Sequence, residues 1–377
     1  MPQKKEDASD SAFKHWINAD LVERIATHIQ HHHPSFNRKE FVALTLHLQK
    51  LELKPRVQLI CDYLKKYLPE DYKKALGILL KATTTPSPKA KPLTGFDLWA
   101  VTEYVHRYGL ENFEESMEAL HELTQRFTAE FAIRPFLIHE EKKTLKVLHQ
   151  WSQDENHHVR RLVSEGSRPR LPWGEQLKSF IQDPSSTLEL LEKLKYNEEL
   201  YVRKSVANHL NDISKDHPAL AVKTAKKWLK EAPEKHKEKI SWIVKHALRT
   251  LLKKGHPEAL KLLGYKTTGK LQVKNLKLSA KNVKIGSSLE FSFELTSTHP
   301  AQVMVDYLIH HKKSNGENKP KVFKLTSKSL KTGESLNIKK KHSFKPVTTR
   351  KYYPGTHYLE IMVNGQLLAK TPFTLKE

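Results

Sequence analysis

The chain has one cysteine, Cys61, in 377 residues. That excludes an internal disulfide and the cysteine-rich zinc and iron–sulfur classes, and it suits a reducing compartment. It also lacks any uninterrupted apolar run of the ~18 residues that a membrane span needs. Its first residues, MPQKKEDASDSAFKHW, contain no apolar signal core. A cytoplasmic protein with no membrane contact is therefore expected. Acidic residues are in deficit, with 42 Asp plus Glu against 65 Lys plus Arg, a formal net charge of +23. Such an excess calls for an anionic partner, and nucleic acid ranks ahead of an acidic protein or an anionic lipid surface. The acidic residues that are present do not cluster as a two-metal nuclease would require. His31, His32 and His33 precede Pro34 at a helix end and read as structural or surface residues.

What is there is a folded chain, 38% hydrophobic with 6 Trp and long enough for two domains. From about residue 20 to residue 264, segments such as LVERIATHI, EFVALTLHLQKL and SMEALHELTQRF place apolar residues three and four apart, the helical period. The proline-rich TTTPSPKAKPLT, residues 83–94, interrupts this array as a loop. A repeat is visible within it. TLKVLHQWSQDENHHVRRLVSE, from Thr144, matches TLELLEKLKYNEELYVRKSVAN, from Thr187, at an offset of 43 residues. Leu145, Leu148, Val159 and Arg160 fall on Leu188, Leu191, Val202 and Arg203, and Glu165 falls on Asn208 with Asp212 one turn beyond. A period of about 40 to 47 residues with two helices per unit is that of HEAT-like repeats. A weaker third unit begins near Lys239.

After residue 264 the pattern alternates, as in LEFSFEL, QVMVDYLI and YLEIMVNGQLLAK, and Asn364-Gly365 predicts a hairpin turn. The expected fold is mainly α: a HEAT-like α-α superhelix over 1–264, then a smaller all-β immunoglobulin-like sandwich over 265–377, without the usual cysteine pair. The sandwich carries 21 Lys plus Arg against 7 Asp plus Glu, a net +14 that leaves +9 for the much longer helical part. Its lysines gather in HHKKSNGENKPK and IKKKHSF, where Lys339, Lys340 and Lys341 are placed to meet phosphates; protection of strand edges is the competing explanation.

The most distinctive segment is HHVRRLVSEGSRPRLPW, residues 157–173. Arg161 and Glu165 share a helical face at i and i+4, Gly166 predicts the C-cap, and Arg168, Arg170 and Trp173 follow among prolines. A carboxylate in the last turn opposes the helix dipole, so Glu165 is either half of a surface ion pair or part of a site. Trp173 either packs in the core, as most tryptophans do, or is left exposed for stacking by the prolines before it. Arg161, Arg168 and Arg170 suit phosphate binding or orientation of Glu165, whereas Arg160 and Arg203, at equivalent repeat positions, read as scaffold.

TAEFAIRPFL (residues 128–137), VRRLVSEGSRPRLPW (159–173) and SVANHLNDISKDHP (205–218) resemble the AlkC family of bacterial DNA alkylation-repair glycosylases, over roughly residues 21–263. The resemblance implies HEAT-like repeats, no metal or other cofactor, and in some members an immunoglobulin-like C-terminal domain. It implies a monofunctional glycosylase of the DNA-3-methyladenine type, acting as a monomer in base excision repair on double-stranded DNA, in the bacterial cytoplasm and on the nucleoid. 3-Methyladenine and 3-methylcytosine are the family's typical lesions. Such cationic bases depart neutral, so the demand on the protein is an anion beside the developing oxocarbenium ion and an oriented water. The matched motifs put Glu165, Glu130 and Asp212 in those roles, with Trp173, Arg161, Arg168, Arg170 and Asn208 on the DNA. Two simpler readings stay open, a helical Arg126–Glu130 pair and a capping Asp212. A non-catalytic HEAT scaffold that binds DNA or an acidic protein is the functional alternative; it predicts binding without base release. Whether the base is extruded is not decided by these residues.

Overall fold

In the computed structural model, which describes residues 13–85, 87–265, 271–347 and 350–377, the 43-residue repeat is written in hydrogen bonds. Residues 1–12 of the stretch read for a signal core lie outside the described residues. The first unit pairs helices Glu141–Trp151 and His157–Gly166, and the second pairs Ser185–Leu194 and Leu200–Asp216. Each pair is joined by a turn closed by a short polar side chain. Asp154 Oδ1 accepts from the Asn156 amide at 2.7 Å, and Asn197 Oδ1 accepts from the Glu199 amide at 3.0 Å. Arg160 then donates to the carbonyls of Asp154 and Glu155 (2.6 and 2.8 Å), and Arg203 to those of Asn197 and Glu198 (2.8 and 2.6 Å). The two arginines are scaffold, each holding two carbonyls of the turn that joins the helices of its unit. Val159 and Val202, Val163 and Val206, and Leu148 and Leu191 are buried at matching positions.

By packing, the chain divides into Met1–Asp216 and His217–Glu377. Among its described residues the first unit is entirely helical and irregular, with Val22, Ile25, Ile60, Leu64, Tyr104, Leu120 and Phe136 in its core. The proline-rich loop is fixed within it, where the Ser87 amide donates to the buried ring of His28 at 2.8 Å. Among its described residues the second unit combines the α-helices Pro218–Glu231, Lys237–Ala247, Arg249–Lys253 and Pro257–Leu262 with eight strands. The stretch read as a third repeat forms the middle two of these helices. The strands are β1 (Leu271–Leu278), β2 (Asn282–Lys284), β3 (Ser288–Ser297), β4 (Ala301–Lys312), β5 (Asn318–Leu330), β6 (Ser335–Ser343), β7 (Gly355–Val363) and β8 (Gln366–Lys376).

They form a three-stranded sheet, β1-β3-β6, and a five-stranded sheet, β2-β8-β7-β4-β5. Alternate residues of β3 (Leu289, Phe291, Phe293, Leu295) and β4 (Val303, Val305, Tyr307, Ile309) meet in one core, as their period of two requires. Asn364 and Gly365 turn β7 into β8 with φ of 47° and 76°, the primed turn that matches strand twist. Gly365 has a second reason to be glycine: a Cβ there would lie 2.5 Å from the Gly255 Cα, so the turn is seated directly on the helical end of its unit. The change of periodicity at 264 and the division of packing at 216 thus mark different things: the first is where secondary structure changes, and the second leaves four helices packed with the sandwich. No helix among the described residues is long and apolar enough to cross a membrane.

Candidate functional site

Helix His157–Gly166 starts at Asn156, whose side chain accepts from the His158 amide at 2.8 Å. It ends at Ser167, whose hydroxyl turns back to the Val163 carbonyl at 2.6 Å, with Pro169 following. Gly166, expected as the C-cap, is instead the last helical residue. A Cβ there would lie 2.5 Å from the Ile133 side chain, so close packing rather than a left-handed backbone explains the glycine. That approach brings the turn at 128–133 against the end of the helix and sets Glu130 beside Arg161.

Six side chains then alternate in sign. Glu130 accepts from Arg161 (2.5 Å), Arg161 approaches Glu165 (3.5 Å), Glu165 accepts from Arg168 (2.6 Å), Arg168 donates to Asp212 (2.8 Å), and Asp212 accepts from Lys215 (2.7 Å). Three carboxylates and three cations make the array neutral as a whole. Glu130 lies in a turn, and Arg126 goes to Glu122 and the Thr83 carbonyl, so the simple helical Arg126–Glu130 pair is not formed. Asp212 is buried inside helix Leu200–Asp216 and caps nothing. Thr128 completes the Glu130 end: its hydroxyl donates to Glu130 Oε2 at 2.9 Å and accepts from Arg161 at 2.7 Å. The carboxylates are graded by depth, with side chains 14% (Glu130), 8% (Glu165) and 1% (Asp212) exposed.

Burial alone pushes the Glu165 carboxyl up, but Arg161 and Arg168 beside it outweigh burial and hold it below the usual carboxylate range. Both arginines are held charged by the same carboxylates against their own desolvation. Tyr201 covers Arg161, the guanidinium carbon standing 4.9 Å from the ring centroid. His209, fully buried on the neighbouring helix, is pushed down to about 4 by burial, against its bond to the Ser164 carbonyl, so it is neutral beside the array. The arrangement therefore holds a carboxylate ionised in a mostly water-excluded place, where its field is strong.

The loop that follows is held by its carbonyls. Arg134, itself buried, donates to those of Gly166 (2.8 Å), Arg168 (3.0 Å) and Glu175 (2.6 Å), and Lys54, from helix Leu53–Tyr67, donates to that of Trp173. Trp173 is neither in the core nor in relaxed backbone: it is 63% exposed with φ of 64°. For a bulky L-residue that region costs about 1–2 kcal/mol, and such strain gathers at ligand-facing sites.

Arg161 and Arg168 are thus committed to the carboxylates, and Arg170 forms a two-pronged pair with Asp216 at 2.7 and 2.8 Å. Asn208 is half-buried one turn before Asp212 on the same helix. Lys339, Lys340 and Lys341 are exposed on β6, with Lys339 and Lys341 flanking Glu290 of β3. Sequence reasoning missed Thr128, Arg134, Lys54, Tyr201 and Lys215. The first two lie in the TAEFAIRP motif, which is the one signal that pointed to them. No group of three His, Cys, Asp or Glu side chains among the described residues is arranged to hold a metal ion.

Comparison with known proteins places this geometry. A family described as DNA alkylation repair enzyme matches residues 111–251, which contain every member of the alternating array. A second, described as the C-terminal Ig-like domain of the uncharacterised protein YhaZ, matches residues 272–377. The chain is 43% identical to "Uncharacterized protein YhaZ" of Bacillus subtilis (strain 168), over 94% of its own length and 96% of that relative's. It is also similar to the solved structure of Pseudomonas fluorescens alkylpurine DNA glycosylase AlkC bound to DNA containing an abasic site analog. There the identity is 38% and the TM-score 0.90, over 97% of this chain and 100% of that one.

Proposed function

The chain belongs to the AlkC family of DNA alkylation-repair enzymes, and from that membership we propose that it is a DNA glycosylase that hydrolyses the N-glycosidic bond of cationic alkylated bases, 3-methyladenine and 3-methylcytosine, in duplex DNA. It acts as a cytoplasmic monomer and releases the base without forming a covalent link to the sugar. One observation carries the chemistry: Glu165, nearly buried, is kept ionised between two arginines at the end of a helix whose dipole opposes it. A buried charge is costly to keep, and a fold retains one where the charge is used.

Departure of a base that already carries positive charge leaves an oxocarbenium ion on the sugar. Glu165 supplies the anion that this cation needs, and Glu130, the most accessible of the three carboxylates and tied to Glu165 through Arg161, accepts a proton from the attacking water. Asp212 lies deepest and acts through Arg168, whose guanidinium it fixes against Glu165. The ammonium of Lys215 is bonded to Asp212, which supports water rather than an amine as the nucleophile. Trp173, exposed on the loop that follows the helix of Glu165, packs on the sugar or base.

Methylated duplex DNA incubated with the wild type is expected to release free 3-methyladenine, unaffected by EDTA. Glu165→Gln is expected to lower the single-turnover rate by at least ~100-fold while DNA binding persists. Binding without release by the wild type would replace the glycosylase with a non-catalytic scaffold, and full activity of Glu165→Gln would remove Glu165 from the chemistry.

A further inference from the structure

Lys54 lies 119 residues from Trp173, on the helix Leu53–Tyr67, and its one ammonium group serves two neighbours. Its Nζ donates to the Trp173 carbonyl and stands 5.2 Å from the centroid of the Phe131 ring. Phe131 is the residue after Glu130, so this single charge touches both turns that carry the site: the one holding the outermost carboxylate and the one presenting the tryptophan.

The Trp173 turn needs such a support. A tryptophan at φ of 64° relaxes toward negative φ unless its surroundings prevent it. On one side the Gly174 amide closes the turn onto the Leu171 carbonyl at 3.1 Å, and Arg134 holds the carbonyls at 166, 168 and 175. On the other side Gly174 and Glu175 border a cavity of about 130 Å³, shared with Val57, Trp99, His106 and Phe131. Packing does not back the loop there; the Lys54 side chain, which also lines that cavity, bridges it.

We propose that Lys54 is a positioning residue for the glycosylase site: its ammonium, seated on Phe131, holds the Trp173 carbonyl and so keeps the indole in the orientation in which it meets the damaged nucleotide. This rests on the reading of Trp173 as a DNA-facing residue, and the experiment separates the two. The full chain is labelled with 5-fluorotryptophan, and the Trp173 resonance, one of six, is assigned with Trp173→Phe. In Lys54→Met the Trp173 resonance is expected to shift or broaden, with a smaller shift of Trp99, which shares the cavity, while the other four stay in place, and Lys54→Arg is expected to restore it. Release of 3-methyladenine from methylated duplex is expected to fall about tenfold in kcat with KM little changed. In the Trp173→Phe background Lys54→Met is expected to bring no further loss, because the lysine acts through the tryptophan. An unmoved Trp173 resonance in Lys54→Met overturns the proposal. A resonance that moves with release unaltered upholds the positioning and removes Trp173 from the chemistry. If Lys54→Met displaces all six resonances, Lys54→Gln is judged by the same criteria.

Discussion

The two units of this chain bury ionisable groups by opposite means. In Met1–Asp216, Arg161, Glu165, Arg168 and Asp212 sit under the surface in an alternating row, and the arginines hold Glu165 ionised there. In His217–Glu377 the buried titratable cluster is His311, His342 and His357, with His311 6.3 and 6.0 Å by ring centroid from the other two. Each of these rings has a nitrogen without a hydrogen-bond partner. Burial pushes His311 down to about 3 and His342 to about 4, and lowers His357, so all three are neutral near pH 7. A neutral imidazole is a modest burden in a core, whereas an ionised group there costs several kcal/mol unless it is paired. Most of the sandwich's charge lies on its surface, which suits attraction to a polyanion, with buried Glu360, paired to His310 and Lys370, as the exception. The helical unit keeps charge inside, which suits chemistry.

The largest effect is expected from breaking the row at its centre. Arg161 serves both Glu130 and Glu165, so Arg161→Met leaves two carboxylates short of a partner in a place largely closed to water. The expected cost is about 3 kcal/mol of stability in the helical unit, with loss of most base release and little change in the sandwich. Amide exchange resolved by segment checks this, and equal loss of protection in both units would erase the contrast. Arg160→Met, one residue away, removes only bonds to the Asp154 and Glu155 carbonyls. It is expected to weaken the fold by about 1–2 kcal/mol and leave the chemistry of the folded enzyme untouched.

That neighbouring arginines differ so much shows what could be read before the fold. Arg160 as scaffold was legible because Arg203 repeats it 43 residues on, together with its turn. The strands and the Asn364-Gly365 turn were legible because alternation and turn chemistry are local. Glu165 stood out by its place against the helix dipole, but its surroundings did not. Thr128, Lys215 and Arg168 became members of one array only when helix His157–Gly166 met helix Leu200–Asp216 and the turn at 128–133. Arg134 and Lys54 bind the following loop across 32 to 41 and 119 residues, and no periodicity encodes such long-range bonds. Gly166 carried the wrong local meaning, since its small size serves a neighbour in space and not its own backbone. The left-handed backbone of Trp173 was equally hidden, because nothing in its side chain favours that conformation.

A second, intermediate effect separates the units by pH. A histidine whose folded value is depressed takes up its proton first in the unfolded chain, so its contribution is full above about 6.5 and falls as pH drops toward 4. Three such groups act in the sandwich unit. Asp306 opposes one of them: burial pushes it up to about 6, against Lys324 and Lys253, so the folded form gains its proton first. His311 and His342 less Asp306 leave a net of one proton, ~1.4 kcal/mol per pH unit between about pH 6 and 4.5, which His209 matches in the helical unit; the lowering of fully buried His357, set against that of half-buried His158, tips the sandwich toward the greater sensitivity. Glu165, held low, adds its own loss only below about 4.5. Amides of β4, β6 and β7 are therefore expected to lose protection before those of helix His157–Gly166 as pH falls from 7 to 5. Replacing His342 with Phe should flatten the dependence in the sandwich alone. The reverse order of unfolding would mean that the neutral histidines are not what makes the sandwich acid-sensitive.

The smallest expected effect on the fold is also the cleanest test of surface charge against buried charge. Lys339, Lys340 and Lys341 are exposed, and two of them lean on Glu290 across the β3–β6 ladder at 3.2 and 3.9 Å. Exposed pairs of this kind contribute well under 1 kcal/mol, so replacing all three with Gln should leave thermal stability nearly unchanged. If they meet phosphates, the same change weakens binding to undamaged duplex and lowers the slope of log K against log salt by about 0.9 for each phosphate no longer neutralised, ~2.7 at most. Lysines that serve only to keep the β6 edge from pairing with another chain would instead leave the slope as it was and raise the tendency to self-associate. Because the substitution leaves the array in the other unit intact, base release at saturating DNA should keep its wild-type rate. A drop in that rate would show that the sandwich takes part in the chemical step as well as in binding.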